Sequence, residues 1–286
     1  MKKRAIISVN LAVFLFGTAG LFAKWISLPA IGITFGRMFF SSLALLVFVL
    51  FTKQSLRVRP RDAILLVLSG GLLAIHWWLF LLSIQLSTVA VGTITFSAFP
   101  LFVTFLEPLA FHEKLRAGRV VSALLILLGV LLTVPQFTLE NQISLGIAVG
   151  LISALAYSIL TLLNRYFMQH YSVTITALYE QGSAALLLLP SLFWIPFSPT
   201  VSDWAMLAFL GIMTTALAHT LFISSLKVLP AQITGVVSSM ESVYGILLAL
   251  LVLGETPTLR ELAGAAVIII VVIVSQLWQK PKNNAV

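Results

Sequence analysis

The sequence contains no cysteine and few charged side chains. Of its 286 residues, 9% are charged and 60% are hydrophobic, and the mean hydropathy is +1.09. The lack of cysteine excludes disulfides, thiolate metal sites and cysteine nucleophiles. Soluble domains carry about 25% charged residues. A water-exposed surface cannot be built from this composition, so lipid is the expected solvent for most of the chain.

Acidic residues are scarcer than basic ones, with 9 Asp and Glu against 17 Lys and Arg, for a net charge of +8. In a membrane protein this surplus is expected from cytoplasmic loops rather than from nucleic-acid binding. The sequence lacks the G-x-x-x-x-G-K-[ST] loop of an ATP-driven pump and the G-x-S-x-G and H-E-x-x-H motifs of hydrolases. An intramembrane enzyme therefore stays a remote alternative, and we expect no cofactor, metal or nucleic-acid partner.

Long apolar runs, separated by Pro, Gly or charged residues, occupy nearly the whole chain. A bilayer core about 30 Å thick requires roughly 20 apolar residues per helix, and the backbone must satisfy its own hydrogen bonds there. We therefore predict an all-α membrane protein with ten transmembrane helices. The predicted spans are 5–23, 29–52, 62–85, 88–111, 118–135, 144–164, 172–195, 202–226, 229–252 and 259–278.

The distribution of Lys and Arg predicts the orientation. With the N-terminus in the cytoplasm and ten crossings, 14 of the 17 basic residues lie on the inner side. Lys24 and Arg260 lie outside, and Arg37 lies within a span. This positive-inside bias predicts a multi-pass protein of the bacterial inner membrane with both termini cytoplasmic.

The two halves of the chain resemble each other. A shift of 142 residues aligns Phe80 with Phe222, Ser83 with Ser225, Ser97 with Ser239 and Glu113 with Glu255. We predict a first repeat over 1–138 and a second over 139–286, within one integral membrane domain. Because each repeat holds five helices, an odd number, the second repeat is predicted to be inverted. Inverted repeats are typical of transporters that bind their substrate near the midplane between the halves.

Ionisable residues inside a membrane are costly and are therefore candidates for a functional site. Glu241 ranks first, because it lies at the centre of a predicted span and could bind a substrate ammonium or carry a coupling proton. The alternative is a structural carboxyl that bonds to a neighbouring helix. Ser238 and Tyr244 lie three residues to either side, near the same helix face. Tyr244 has packing as an alternative role.

Histidines occur at two nearly equivalent places in the repeats. His76 begins a His-Trp-Trp run in the middle of the third span, with Phe80 on its stripe and Trp77 beside it. His219 lies one residue from the repeat equivalent of His76. The pair could form two gates or a proton relay, or each could have an independent structural role. Two histidines without further ligands do not define a metal site.

Aromatic residues recur at mid-depth, where they could form a stacking or cation–π box for a flat or cationic solute. The alternative is ordinary helix packing. Asn10 and Asn164 could coordinate substrate or join helices. The aromatic candidates are Phe14, Phe16, Trp77, Phe80, Phe99, Tyr157 and Tyr244.

Three other charged residues lie within spans. Arg37 and Glu180 are approximate repeat mates at a shift of 143, but their expected depths are opposite, so we do not expect them to be partners. Whether Arg37 and Glu180 are functional or structural stays open. Glu107 is expected to extend towards the inner interface.

Several of these residues, in this order and spacing, resemble the EamA-like branch of the drug/metabolite transporter superfamily. They are Gly17 with Lys24, Arg37, the Glu113 ending and the segment MESVYGILLALLVLGE at 240–255. Ser242 stands where the family usually has proline, and Pro100 occupies the equivalent place in the first repeat. The resemblance implies ten helices in a 5+5 inverted repeat around a central cavity. It also implies that the cavity is lined by spans 1, 3, 4, 6, 8 and 9, with spans 2 and 7 outside it.

Known members of that family move amino acids, amines, nucleosides, vitamins and drugs, often outward. We therefore predict a secondary active transporter that exports a small organic metabolite, such as an amino acid, amine or aromatic compound, by alternating access. Protons are the candidate coupling ion, and lipids surround the protein. A passive facilitator or exchanger, a channel and a lipid flippase are the alternatives. The substrate, and the choice between monomer and homodimer, stay open.

Overall fold

The computed structural model describes residues 2–115, 117–133 and 142–277, and the regular structure in these ranges is entirely helical. The N-terminal half contains α1 (Lys2–Trp25), α2 (Ala30–Phe51), α3 (Pro60–Leu86), α4 (Val89–Phe96), α5 (Phe99–Phe111) and α6 (Ala117–Thr133). The C-terminal half contains α7 (Gln142–Phe167), α8 (Val173–Leu188), α9 (Val201–Phe209), α10 (Ala218–Ser225), α11 (Ala231–Ser238), α12 (Met240–Leu248) and α13 (Leu259–Leu277). A short 3₁₀ turn follows α8 at Leu189–Phe193, and π-helical segments occupy Leu210–Leu217 and Ala249–Leu253.

Local residues fix where these helices begin. Pro60 lies in the first turn of α3, where its missing N–H costs nothing. The side chains of Thr88 and Ser172 cap α4 and α8. Thr200 and Asp203 form a reciprocal capping box at the start of α9.

Within the described residues, seven helical segments are long and apolar enough to cross a membrane, and a shorter apolar helix spans Ala117–Gly129. The protein is therefore a multi-pass membrane protein. The number of ten crossings and the cytoplasmic termini stay predictions, and the predicted boundary between halves at residue 138 lies outside the described residues. The seven are Lys2–Trp25, Ala30–Phe51, Pro60–Leu86, Val89–Phe111, Gln142–Phe167, Val201–Ser225 and Ala231–Leu253.

Two of the predicted spans are broken near their middle. The span predicted at 88–111 is interrupted between α4 and α5, and the one at 229–252 is interrupted at Ser239, between α11 and α12. Pro100 in the first turn of α5 has no N–H to continue the ladder of α4. In the second half, the N–H of Ser239 bonds to the oxygen of Val236, three residues back. Broken helices at equivalent positions of two repeats indicate a binding site in transporters.

Helix packing is similar when the two halves are exchanged. Helix α1 packs on α10 and α12, while α7 packs on α3, α4 and α5. Helix α2 pairs with α8, and α6 pairs with α13. The broken helices lie side by side, with α4 beside α12 and α11 beside α5. They therefore run antiparallel, and each begins next to the end of the other.

Candidate functional site

Seven charged, polar or aromatic side chains face one another at the centre of the bundle, and each is at most 3% exposed. We call this group the central cluster. Its members come from α2, α3, α7, α8, α10 and α12. They are Arg37, His76, Trp77, Tyr157, Glu180, His219 and Glu241.

Arg37 lies in the central cluster, although the resemblance implied that its span lies outside the cavity. Its guanidinium carbon is 3.4 Å from the centre of the Trp77 ring. Its Nε donates to Thr215 Oγ1 at 2.9 Å, and its Nη2 is 3.4 Å from both oxygens of Thr214. Both threonines lie in the π-helical segment Leu210–Leu217, whose wider turn lets consecutive residues reach the same group. Arg37 Nη1 is buried without a partner.

The hydrogen bonds of His76 define its tautomer. Its Nδ1 is 2.8 Å from Ser153 Oγ and 3.3 Å from the carbonyl oxygen of Ser153, which can only accept. The hydroxyl of Ser153 donates its own proton to the carbonyl oxygen of His76 at 2.9 Å. Nδ1 therefore carries the proton in the neutral ring, and Nε2 keeps a lone pair. Sequence reasoning did not identify Ser153 as the residue that orients this ring.

Aromatic rings surround His76 and Tyr157. The Tyr157 ring lies 4.4 Å from the His76 ring and 5.1 Å from that of Phe99. Phe80 lies 5.5 Å from Trp77. Phe16, Phe96 and Phe222 complete the group, and the sequence analysis did not select the last two. The hydroxyl of Tyr157 is buried without a partner.

Glu180 and His219 form a buried pair that joins α8 to α10. His219 Nε2 lies 2.9 Å from Glu180 Oε2, and the two side chains are 2% and 0% exposed. The other carboxyl oxygen, Glu180 Oε1, is buried without a partner. The buried amide of Asn164 on α7 lies beside Glu180. The structure thus places Glu180 at the centre, whereas the resemblance implied a position outside the cavity.

Glu241 lies directly after the break between α11 and α12. Its Oε1 is buried without a hydrogen-bond partner, as is the hydroxyl of Ser239. Its carboxyl interacts electrostatically with Arg37 and Tyr157. This carboxyl has no structural hydrogen bond to hold its Oε1, so it can accept one from a ligand.

Glycines let neighbouring helices approach the backbone at two members of the central cluster. A Cβ on Gly70 of α3 would lie 2.5 Å from the carbonyl oxygen of Glu180. A Cβ on Gly211 would lie 2.8 Å from the carbonyl oxygen of Arg37. Both distances are too short for any residue with a side chain. The two glycines therefore allow the backbones that carry Glu180 and Arg37 to pack close to the neighbouring helices.

Three predicted site residues have other contacts. Asn10 donates to the carbonyl oxygen of Ile6 in its own helix at 2.8 Å, and the buried Ser238 bonds back to Thr234 at 3.0 Å. Tyr244 packs edge-on against Phe14, which is 45% exposed. Short polar side chains often bond to their own helix, so helical spacing alone cannot identify the residues that line a site.

Glu107 caps a helix of the opposite half instead of extending to the interface. Its carboxyl accepts from the N–H groups of Ala231 at 2.7 Å and Gln232 at 3.0 Å, at the start of α11. Arg165 pairs with it at 2.5 Å and also with Glu113 at 2.5 Å. The side chain of Glu107 is 0% exposed, so it does not extend to the interface as expected.

A second carboxyl has the same function at the start of α4. Glu255 accepts from the N–H of Val89 at 3.3 Å. Lys24 donates to the carbonyl oxygen of Ser87 at 2.8 Å beside it. Between the two caps, Ser242 bonds to Ser97 and to the carbonyl oxygen of Thr93, which joins α12 to α4. The halves are therefore connected at both ends and in the middle of the broken helices.

Comparison with known families finds one matching model, described as the EamA-like transporter family. It matches twice, over residues 3–134 and 144–276. These two matches cover most of the chain and correspond to its two similar halves. A solved crystal structure shares the fold, with a TM-score of 0.79 and 19% identity over 97% of this chain and 99% of its own.

Curated relatives are named as transporters. "Uncharacterized transporter YxxF" of Bacillus subtilis is 23% identical over 99% of this chain and 93% of its own length. An "Uncharacterized transporter" of Archaeoglobus fulgidus is 26% identical over 96% of both chains. An "S-adenosylmethionine uptake transporter" of Rickettsia bellii is 24% identical over 83% of this chain and 80% of its own. These names support a transport function and suggest a protein that is not an enzyme.

Proposed function

The chain belongs to the EamA-like transporter family, within the drug/metabolite transporter superfamily, and we propose that it is a secondary transporter that works by alternating access. The observation that carries this proposal is a set of buried polar atoms without partners at the centre. Arg37 Nη1, Tyr157 Oη and Glu241 Oε1 are among them. An unsatisfied buried polar atom costs about 1–3 kcal/mol. A ligand that satisfied these atoms would stabilise the closed form in which it is carried.

The chemistry of these atoms favours a substrate with a cationic group and an aromatic or flat part. The carboxylate of Glu241 can accept hydrogen bonds from an ammonium group, and Arg37 and Tyr157 can donate hydrogen bonds to an acidic or carbonyl oxygen. The rings around Tyr157 can stack on an aromatic group of the substrate. An amino acid, an amine or an aromatic metabolite meets this description. S-adenosylmethionine, named for the Rickettsia relatives, combines an amino acid, a sulfonium cation and an adenine ring. It is therefore the first compound to test.

In alternating access, the two caps would be the contacts between the halves that break and re-form. Glu107 and Arg165 connect the halves at one end, and Glu255 connects them at the other. In our proposal each cap is a gate, and breaking one opens the centre to one side while the other stays closed. With the ten crossings and the cytoplasmic N-terminus predicted from the sequence, the Glu107 gate would lie on the cytoplasmic side.

The test is flux into and out of liposomes that contain the purified protein. We expect saturable flux of S-adenosylmethionine, an aromatic amino acid or an aromatic amine, and its loss in Glu241→Gln. Glu261→Gln is the matched control, because Glu261 caps its own helix at Thr258. Flux that does not saturate would indicate a channel. Flux is measured with the substrate placed either inside or outside the liposomes. The preferred direction distinguishes the export expected from the resemblance from the uptake named for the Rickettsia relatives.

Saturable flux that is equal in wild type and Glu241→Gln would contradict the proposed binding site. Absence of flux across a broad panel of amino acids, amines and nucleosides would contradict the proposed substrate class. Movement of a fluorescent lipid instead of a solute would indicate a flippase.

A further inference from the structure

The Glu180–His219 pair lies in the central cluster, yet substrate binding as proposed does not require it. Its partners are 2.9 Å apart and are almost completely buried. In the first half, the approximate repeat equivalents are Arg37 and Trp77, which meet as a cation over a ring. Equivalent positions therefore hold the permanently charged Arg37 in the first half and the titratable Glu180–His219 pair in the second half.

Among the described residues, the titratable or charged groups around this pair belong to the central cluster. His76 of α3 interacts electrostatically with His219, and Tyr157 of α7 interacts with Glu180. Arg37 of α2 and Glu241 of α12 interact with each other and with Tyr157. Helix α1, which also packs on α10, contributes the ring of Phe16. The central cluster thus holds one guanidinium and two carboxyls. With both histidines neutral, the closed centre carries one negative charge that the described side chains leave unbalanced.

A single proton would remove this imbalance, and the pair has a place for it. With neutral His219, the Nε2–H donates to Glu180 Oε2, and the pair carries one negative charge. Oε1 of the same carboxyl is buried without a partner, so an added proton can bind there or move to the imidazole. Either position makes the pair neutral. Since an uncompensated charge is costly in a dry interior, the closed form favours the protonated pair.

We propose that Glu180 and His219 form the proton-binding site of this protein, and that Glu241 is left to bind the substrate. This inference rests on the proposed transport function. The proton enters from water when one gate is open and returns to water when the other opens. Because Arg37 and Glu241 face the same centre, a cationic substrate and this proton compete for the one unbalanced negative charge.

The decisive experiment counts protons on the purified protein in detergent without any substrate. A pH-indicator dye reports the protons taken up as the solution passes from alkaline to acidic. We expect one proton-binding step in the wild type that is absent from the otherwise matching curve of Glu180→Gln and displaced in His219→Gln. The step should remain in Glu241→Gln but move to lower pH, because the cluster then holds one guanidinium and one carboxyl.

Retention of the wild-type step in both Glu180→Gln and His219→Gln would overturn the proposal, as would its loss in Glu241→Gln. If Glu180→Gln fails to fold, the displacement in His219→Gln still decides. In liposomes, Glu180→Gln should abolish the response of flux to a proton gradient. If the wild type transports nothing, the proposed function fails, while the substrate-free titration still decides the fate of the proton site.

Discussion

Val89 and Ala231 occupy equivalent positions 142 residues apart, and the N–H of each donates to a glutamate from the opposite half of the chain. Val89 donates to Glu255, and Ala231 donates to Glu107. Each acceptor lies near the end of the broken helix that runs antiparallel to the one it caps. A carboxylate at a helix N-terminus also interacts favourably with the helix dipole. The two contacts therefore oppose separation of the halves at both ends of the bundle.

Removing one cap should open one side of the protein. The chain has no native cysteine, so Ser239→Cys, at a position 1% exposed beside the break, supplies a reporter without background. In Glu107→Gln we expect faster labelling of this cysteine by a membrane-impermeant maleimide applied from the predicted cytoplasmic side. In Glu255→Gln the increase should appear from the opposite side. Glu107→Gln should have the larger effect, since it also loses an ion pair with Arg165.

Glu261→Gln is the control for this experiment and should leave the labelling rate unchanged from both sides. Acceleration from the same side in both cap variants would refute the assignment of two separate gates.

Two tyrosines provide a matched test of where the substrate binds. Tyr157→Phe deletes a buried hydroxyl that has no partner in the closed protein, so folding should be preserved while substrate loses a hydrogen bond. We expect the apparent affinity to fall about fivefold, in line with roughly 1 kcal/mol for a neutral hydrogen bond. Tyr244→Phe makes the same change beside the exposed Phe14 and should not alter affinity. Substrate protection against thermal unfolding measures the affinity. Equal losses of affinity in Tyr157→Phe and Tyr244→Phe would contradict the assignment of Tyr157 to the substrate site.

The sequence predicted the helical membrane fold and the repeat because both depend on long apolar runs and on spacing along the chain. It also selected His76, Trp77, Tyr157, His219 and Glu241, because a polar or aromatic group in the middle of a span is conspicuous. It did not predict that Arg37 and Glu180 reach the centre. That result depends on close helix approach and on a π-helical turn, which hydrophobic periodicity does not encode.

The caps were missed for a related reason. Glu107 was assigned to the interface because it lies near the end of a span, beside Pro108. Its partners are backbone N–H groups more than a hundred residues away, and these have no side-chain signature. The alignment of Glu113 with Glu255 was a signal that acidic residues end both broken helices, but it could not show which carboxyl would cap which helix.

The ionisation of Tyr171, outside the membrane spans, should depend on its hydrogen bond to Asp62. Its hydroxyl donates to Asp62 at 2.5 Å, and this hydrogen bond raises the pKa of Tyr171 above the ordinary value of a tyrosine. The contact therefore stabilises the fold below about pH 10 and is lost as the pH rises further. Asp62→Asn should lower the pKa of Tyr171. The absorbance titration of wild type minus that of Tyr171→Phe isolates this group, and an unchanged difference curve in Asp62→Asn would contradict the assignment.

Gly70 should be essential for the packing of α3 on α8. A Cβ at this position would lie 1.9 Å from Ser183 Oγ and 2.5 Å from the carbonyl oxygen of Glu180. The hydroxyl could rotate, but the carbonyl belongs to the backbone, so Gly70→Ala must move α8 and displace Glu180 from His219. Overpacking costs about 1–3 kcal/mol, and we expect a lower thermal unfolding temperature in detergent together with loss of the proton-binding step.

Gly71→Ala is the matched control, because its Cβ would meet only Leu187, at 3.6 Å, and alanine is the better helix former by about 0.5–1 kcal/mol. Its unfolding temperature should equal or exceed that of the wild type, and equal destabilisation by the two substitutions would show that the close approach at Gly70 does not position Glu180.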